Sequence, residues 1–190
     1  MDKRSRMRTF IVVSEGLALD SRGAYHASDH YLAALDLVME FSSPSDTIYL
    51  APANRFGAHQ AEDLFARDYL LSRHCPAQVE VISPEIPRRG YLDTLDNAHV
   101  LKMDLMRKGR WPLGSVTLVC NRPHRLRSRL MFRLCGYEVS EVRTSRAGER
   151  SGTRMVGRLW FYEIPVLQYF YELLATAYGC FRFPFLKDQM

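Results

Sequence analysis

Ser115 to Gly136 reads SVTLVCNRPHRLRSRLMFRLCG, and this stretch decides the fold. Val116, Leu118 and Val119 make a compact β-prone run after the turn residues Pro112 and Gly114. Pro123 suits a first helical turn, and Asn121 suits a cap. Leu126, Leu130, Met131, Phe132 and Leu134 then supply an apolar face that Gly136 ends. The stretch is therefore a buried strand, a short polar turn and a helix. His124 and Arg127 stand three apart and share one face of the first turn, with Arg122 and Arg125 beside them. A helix N-terminus offers N–H groups and the positive end of a dipole, so cations gathered there imply an anion among them. The plainer alternative is a surface helix rich in arginine.

The rest of the chain repeats this alternation. Thr9 to Val13 (TFIVV) is a continuous apolar run that fits a strand covered on both faces. A polar loop follows to Ala27, then a helix capped by Ser28 with Tyr31, Leu32, Leu35, Val38 and Met39 inward. Thr47 to Leu50 is the second strand, and a helix is expected from about His59 to Ser72. Gln78 to Ile82 is the third strand, and Thr94 opens the next helix. Tyr137 to Val142 is the fifth strand. Residues 144–157 are basic, hold three glycines and lack an apolar period, so a loop or lid is expected. The segment 158–190 is read as a final helix from Pro165, stopped by Gly179, and an aromatic tail. Val166, Phe170, Leu173 and Leu174 are expected to pack on the sheet or to join two copies as a homodimer.

Strands alternating with helices imply one doubly wound α/β domain over residues 1–190, with a mainly parallel five-stranded Rossmann-like sheet in a three-layer α/β/α sandwich. The first and fourth strands are the most apolar, so the expected order is 3-2-1-4-5. Ligands in such sheets sit beyond the carboxyl ends of the strands. That edge collects Ser14, Glu15 and Gly16, then Ala51 to Arg55, Ser83 to Arg89, and Asn121 to Arg127.

Composition narrows the function. Hydrophobic residues are 47% and aromatics 12% of 190 residues, enough for a packed core. No apolar run reaches the length of a membrane span, and the basic N-terminus lacks a signal-peptide pattern, so a cytoplasmic location is expected. The four cysteines are scattered without a CxxC pair, which argues for reduced core thiols. The net charge of +5 is uneven, with ten Arg and three Glu between Asn121 and Arg158. No nucleic-acid motif accompanies that charge, so an anionic small molecule is a better partner than nucleic acid.

The pattern Thr94-Leu95-Asp96-Asn97-Ala98, followed by a strand and by His124-Arg125-Leu126-Arg127 with Phe132 and Gly136 downstream, resembles the YdcF/SanA/ElyC-like family. Glu62, in HQAED, falls where that family often has a Ser-Glu-Ala element. The resemblance covers about residues 8–142. It implies a Rossmann-like three-layer fold. It also brings S-adenosylmethionine, associated with one branch, into view as a cofactor.

Within this frame His124 is a candidate general acid or base and Arg127 a bidentate clamp for phosphate or carboxylate. The plainer role for Arg127 is a salt bridge to Glu15 or Glu85. Glu15 and Glu62 could orient His124 or bind a ribose, and either could equally be a surface carboxylate. Thr94 is a helix cap or a ligand contact, and Asn97 holds a loop or the ligand's polar edge. Ser14, Gly16, Asn54, Asn121 and Arg125 complete the candidate binding set. His26 and His30 stand four apart with Asp29 between, yet no third ligand or HExxH accompanies them, so no metal is assigned. An enzyme on a nucleotide-like or phosphorylated substrate, a hydrolase or transferase, and a non-catalytic binding module both remain open.

Overall fold

β1 (Thr9–Val12) lies at the centre of a five-stranded parallel sheet, paired on one side with β4 (Thr47–Leu50) and on the other with β6 (Ser115–Asn121). The computed structural model describes residues 7–55, 57–82, 91–146, 154–155 and 164–187. β5 (Gln78–Glu80) and β7 (Glu138–Ser145) are the edges, giving β5-β4-β1-β6-β7. Counted within this sheet alone, that is the expected 3-2-1-4-5. Val12 is in register with Leu50 and Val119, so the two most apolar runs are neighbours.

The side-chain alternation of β1 explains the three layers. Ile11 points to a core shared with Leu95, Leu101, Leu105, Met131 and Phe132. These come from α3 (Thr94–Arg107) and α4 (Arg125–Leu134). Phe10 and Val12 point the other way, toward Tyr31, Leu35, Val38, Ala66 and Leu70. Those belong to α1 (Asp29–Phe41) and α2 (Glu62–Ser72). Each fully buried Leu, Ile or Phe contributes about 1.5–3 kcal/mol relative to exposure, so both faces of β1 are needed to hold the sheet between its helices.

Several boundaries differ from the sequence reading. Residues 14–27 are not all loop, because β2 (Leu17–Leu19) and β3 (Tyr25–Ala27) form an antiparallel hairpin. Its turn is held by Asp20, whose carboxylate accepts from the N–H groups of Arg22 and Ala24 at 2.8 and 2.9 Å. β8 (Arg154–Met155) pairs with β2 and completes a second, three-stranded sheet. The basic segment thus contributes strand residues at both ends, and residues 147–153 and 156–157 of the expected lid lie outside the described residues, as do 83–90. α2 begins at Glu62, three residues after His59. Asp93, not Thr94, caps α3: it accepts from the N–H groups of Leu95 and Asp96, and Asp96 returns a bond to the Asp93 N–H.

The largest correction concerns α5 (Pro165–Lys187), which runs on through Gly179 and Pro184. Gly179 is a contact point, since a Cβ there would stand 2.6 Å from Met131 Sδ on α4. Val166, Phe170, Leu173 and Leu174, expected on the sheet or against a second copy, do not pack on the sheet and are exposed. Among the described side chains of this helix Gln168 and Glu172 are buried, and Arg182 binds both Asp93 and Asp96 at the start of α3.

Candidate functional site

The carboxyl ends of β1, β4 and β6 and the start of α3 converge on one crevice. It is lined by Ser14, Glu15, Gly16, Asn54, Glu62, Thr94, Asn97, His124 and Arg127, together with Tyr91, Leu92 and Asp93. Parallel pairing of β1 with both neighbours sets their C-terminal loops side by side, which explains how residues far apart in sequence meet there. The crevice proper is small, about 40 Å³. It adjoins a cavity of about 350 Å³, also lined by Tyr91, Asp93, Thr94 and Arg127, whose far wall is Tyr171, Tyr178 and Arg182 of α5.

At its centre is a buried line of three side chains. Glu15 Oε1 lies 3.0 Å from His124 Nδ1, and His124 Nε2 lies 2.9 Å from Thr94 Oγ1. Glu15 Oε1 also accepts from the Asn121 N–H at 2.7 Å. Glu15, His124 and Thr94 are each 3% exposed. A carboxylate on Nδ1 favours the tautomer with its proton on that nitrogen, leaving Nε2 to accept from the Thr94 hydroxyl. Glu15 Oε2 is buried and has no hydrogen-bond partner among the described residues.

Around this line other carboxyl and amide groups fix the loops. Glu62 accepts from the Gly16 N–H at 2.8 Å and the Asn54 N–H at 3.3 Å, tying the loop after β1 to the loop after β4. Gly16 has a φ of 93°, a conformation that a side chain would strain. Burial pushes the Glu62 carboxyl up to about 8, against the two N–H donors, which pull it down. It is therefore mostly protonated at neutral pH. Asn54 exchanges two bonds with the Leu92 backbone, at 2.9 and 2.7 Å. The Asn97 amide, oriented with its nitrogen toward the carbonyls, donates to Asp93 O at 3.0 Å and Pro52 O at 2.9 Å. Asn97 thus holds loops. Ser14 Oγ makes long contacts, 3.4 Å to the carbonyls of Ala51 and Pro52.

Arg127 does reach the crevice, and Glu85, one of the two carboxylates expected to bind it, lies outside the described residues. Arg127 Nη2 donates to Glu172 Oε1 at 3.0 Å, and its Nε lies 2.8 Å from Glu172 Oε2. Asn121 and Arg125 do not line the crevice. Asn121 accepts from the Arg122 N–H at 2.8 Å, so it caps the short turn as expected, and its amide donates to His30 Nδ1 at 2.9 Å. Arg125 is exposed, on a separate groove with Arg122 and Arg129. His26 lies on β3 with Nδ1 2.7 Å from Ala27 O, and His30 lies in the first turn of α1. Among the described residues no cluster of three His, Cys, Asp or Glu side chains could hold a metal ion.

The sequence reading missed Asp93, Tyr91, Leu92 and Glu172. Asp93 was legible as the N-cap of a capping box three residues before Asp96. Glu172 left no signal, being 45 residues from Arg127. Compared with protein-family models, curated proteins and solved structures, the chain matches none of them.

Proposed function

We propose that the chain is a YdcF-like protein that binds an anionic, nucleotide-like or phosphorylated small molecule at this edge and acts on it as a hydrolase or transferase. The line Glu15–His124–Thr94 carries the reading. A positioned carboxylate, an imidazole and a hydroxyl in that order match the geometry of activated nucleophiles. Thr94 occupies Nε2, so its hydroxyl is the group placed to attack. In the proposed reaction Nε2 takes the Thr94 proton as Oγ1 bonds to phosphorus. The bond from phosphorus to the leaving oxygen breaks, and His124 returns the proton to that oxygen. Water, or an acceptor hydroxyl in a transferase, then bonds to phosphorus as its proton passes to His124, the bond from phosphorus to Thr94 Oγ1 breaks, and His124 returns that proton to Oγ1.

The neighbouring 350 Å³ cavity is large enough for the body of such a ligand. Tyr91, Tyr171 and Tyr178 in its wall suit the stacking of a nucleobase. Arg127 lines both spaces and supplies positive charge for the anionic group, while the protonated Glu62 spares the crevice a negative one. The test is release of nitrophenol from para-nitrophenyl phosphate and of phosphate from nucleoside phosphates. Thr94→Ala and His124→Ala should each lose about 10²–10⁴-fold in rate, with Thr94→Ser retaining most of it. Wild-type turnover that survives both alanine variants would discard the mechanism.

A second reading, a non-catalytic module for S-adenosylmethionine, draws support from one feature. Glu15 Oε2 is a buried acceptor suited to a ribose hydroxyl, and the carboxylates of Glu15 and Asp93 would favour a sulfonium cation. Calorimetry with S-adenosylmethionine separates the two: saturable binding without turnover of any phosphoester selects the module.

A further inference from the structure

α5 turns its polar residues inward and its apolar ones outward. Gln168, Glu172 and Gly179 form the buried seam. On the opposite side Val166, Phe170, Leu173, Leu174 and Phe181 recur at spacings of three and four, each between 55% and 77% exposed. Tyr169 and Tyr178, both more than half exposed, flank that row. A contiguous apolar face of this extent is unusual on a surface that meets only water. Among the described residues no helix is long and apolar enough to cross a membrane.

The charge beside this face says what it meets. α4 lies against α5, and the groove between them, about 640 Å³, is lined by Arg122, Arg125, Arg129, Tyr169 and Leu173. Leu126, 68% exposed, stands among those arginines. From residue 121 to 137 and from 164 to 187 the only acid is Glu172, which is buried against Arg127. The outward surface of the two helices therefore offers arginines and apolar side chains, and no carboxylate. An isologous contact between copies presents the same patch from both sides, which would set these arginines near one another with no acid to answer them. An anionic lipid surface answers both features, because basic groups contribute about 1 kcal/mol each near such a surface and an aromatic, apolar helix face enters its interfacial layer.

We propose that α5 and the outer face of α4 dock on a bilayer bearing anionic phospholipid. Headgroup phosphates sit in the arginine-lined groove, and the apolar row of α5 lies in the interfacial layer. Tyr169 at its margin meets the headgroups, where such a ring is favoured. This docking stands apart from the chemistry of the crevice.

The test is flotation of the full chain with phosphatidylglycerol vesicles and with phosphatidylcholine vesicles, beside light scattering of the protein alone. Wild type should float with phosphatidylglycerol and far less with phosphatidylcholine. Phe170→Glu with Leu173→Glu should abolish flotation, and Arg122→Glu with Arg129→Glu should weaken it by at least about 25-fold, at roughly fivefold per arginine removed. Circular dichroism verifies that the variants, all at exposed positions, remain folded. No flotation of wild type on either vesicle overturns the proposal, and so does equal flotation on both. A wild-type dimer that Phe170→Glu with Leu173→Glu turns into a monomer, without flotation, overturns it in favour of a second copy.

Discussion

Arg127 on α4 and Glu172 on α5 form a forked ion pair, 3.0 Å from Nη2 to Oε1 and 2.8 Å from Nε to Oε2, with both side chains 6% exposed. The pair joins the crevice to the C-terminal helix. It also means that a ligand anion meets a guanidinium already engaged by a carboxylate. Removing one member of a buried pair leaves an uncompensated charge, at a cost of roughly 3–5 kcal/mol. Glu172→Gln should therefore destabilise strongly, whereas Arg127→Met with Glu172→Gln should cost much less than the two single changes added. Urea unfolding of the four proteins measures the coupling. Additive costs would mean that the pair does not hold α5.

Glu62 makes stability fall as pH rises. Its folded value is about 8 and its ordinary value 4.5, so between these the folded state holds a proton that the unfolded chain has lost. The stabilisation is complete below pH 4.5 and is lost as pH climbs through 8, a swing on the order of 5 kcal/mol at 1.36 kcal/mol per pH unit. Glu62→Gln, neutral at every pH, should flatten the decline between pH 5 and 8. Thermal unfolding across that range checks it, and an unchanged slope in the variant would assign the decline elsewhere.

Asp46 acts at the other end of the scale. Burial alone would raise its carboxyl, but the Arg8 side chain and N–H and the Ser43 hydroxyl and N–H bring it to about 2. Its folded value is below the ordinary 3.8, so its contribution is present above that pH and disappears as pH falls toward 2. The amount is about 2 kcal/mol. Asp46→Asn should lose roughly that much at pH 5 and show a shallower decline on acidification. A variant as stable as wild type at pH 5 would contradict the assignment.

How much of this was legible follows from what each signal encodes. The β1 and β6 runs are apolar at consecutive positions, which only a strand covered on both faces needs, so their central place and adjacency could be read. The crevice followed from that adjacency, because topology alone carries Glu15, Asn54, Thr94 and His124 to one edge. The hairpin β2–β3 could not be read from periodicity, since each strand has three residues. α5 defeated the helical pattern for another reason. Its apolar stripe has the correct spacing, but spacing gives a face and not what the face meets. The buried seam is Gln168, Glu172 and Gly179 because Arg127 and Met131 lie opposite and require a carboxylate and a gap.

The two faces of α5 give the last prediction. Leu173 is 63% exposed, so an aspartate there buries no charge. Leu173→Asp should keep stability within about 0.5 kcal/mol of wild type, as surface changes do. Gly179 lies at the crossing with α4, where even a Cβ would stand 2.6 Å from Met131 Sδ. A methionine end can shift, so Gly179→Ala meets a soft neighbour and gains helix propensity of up to about 1 kcal/mol. Gly179→Leu fills far more than Met131 can vacate and should cost about 1–3 kcal/mol, the usual penalty of overpacking. Denaturant unfolding of the three variants reads the order directly. If Leu173→Asp unfolds the protein while Gly179→Leu is silent, the helix is turned the other way, with its apolar row against the sheet.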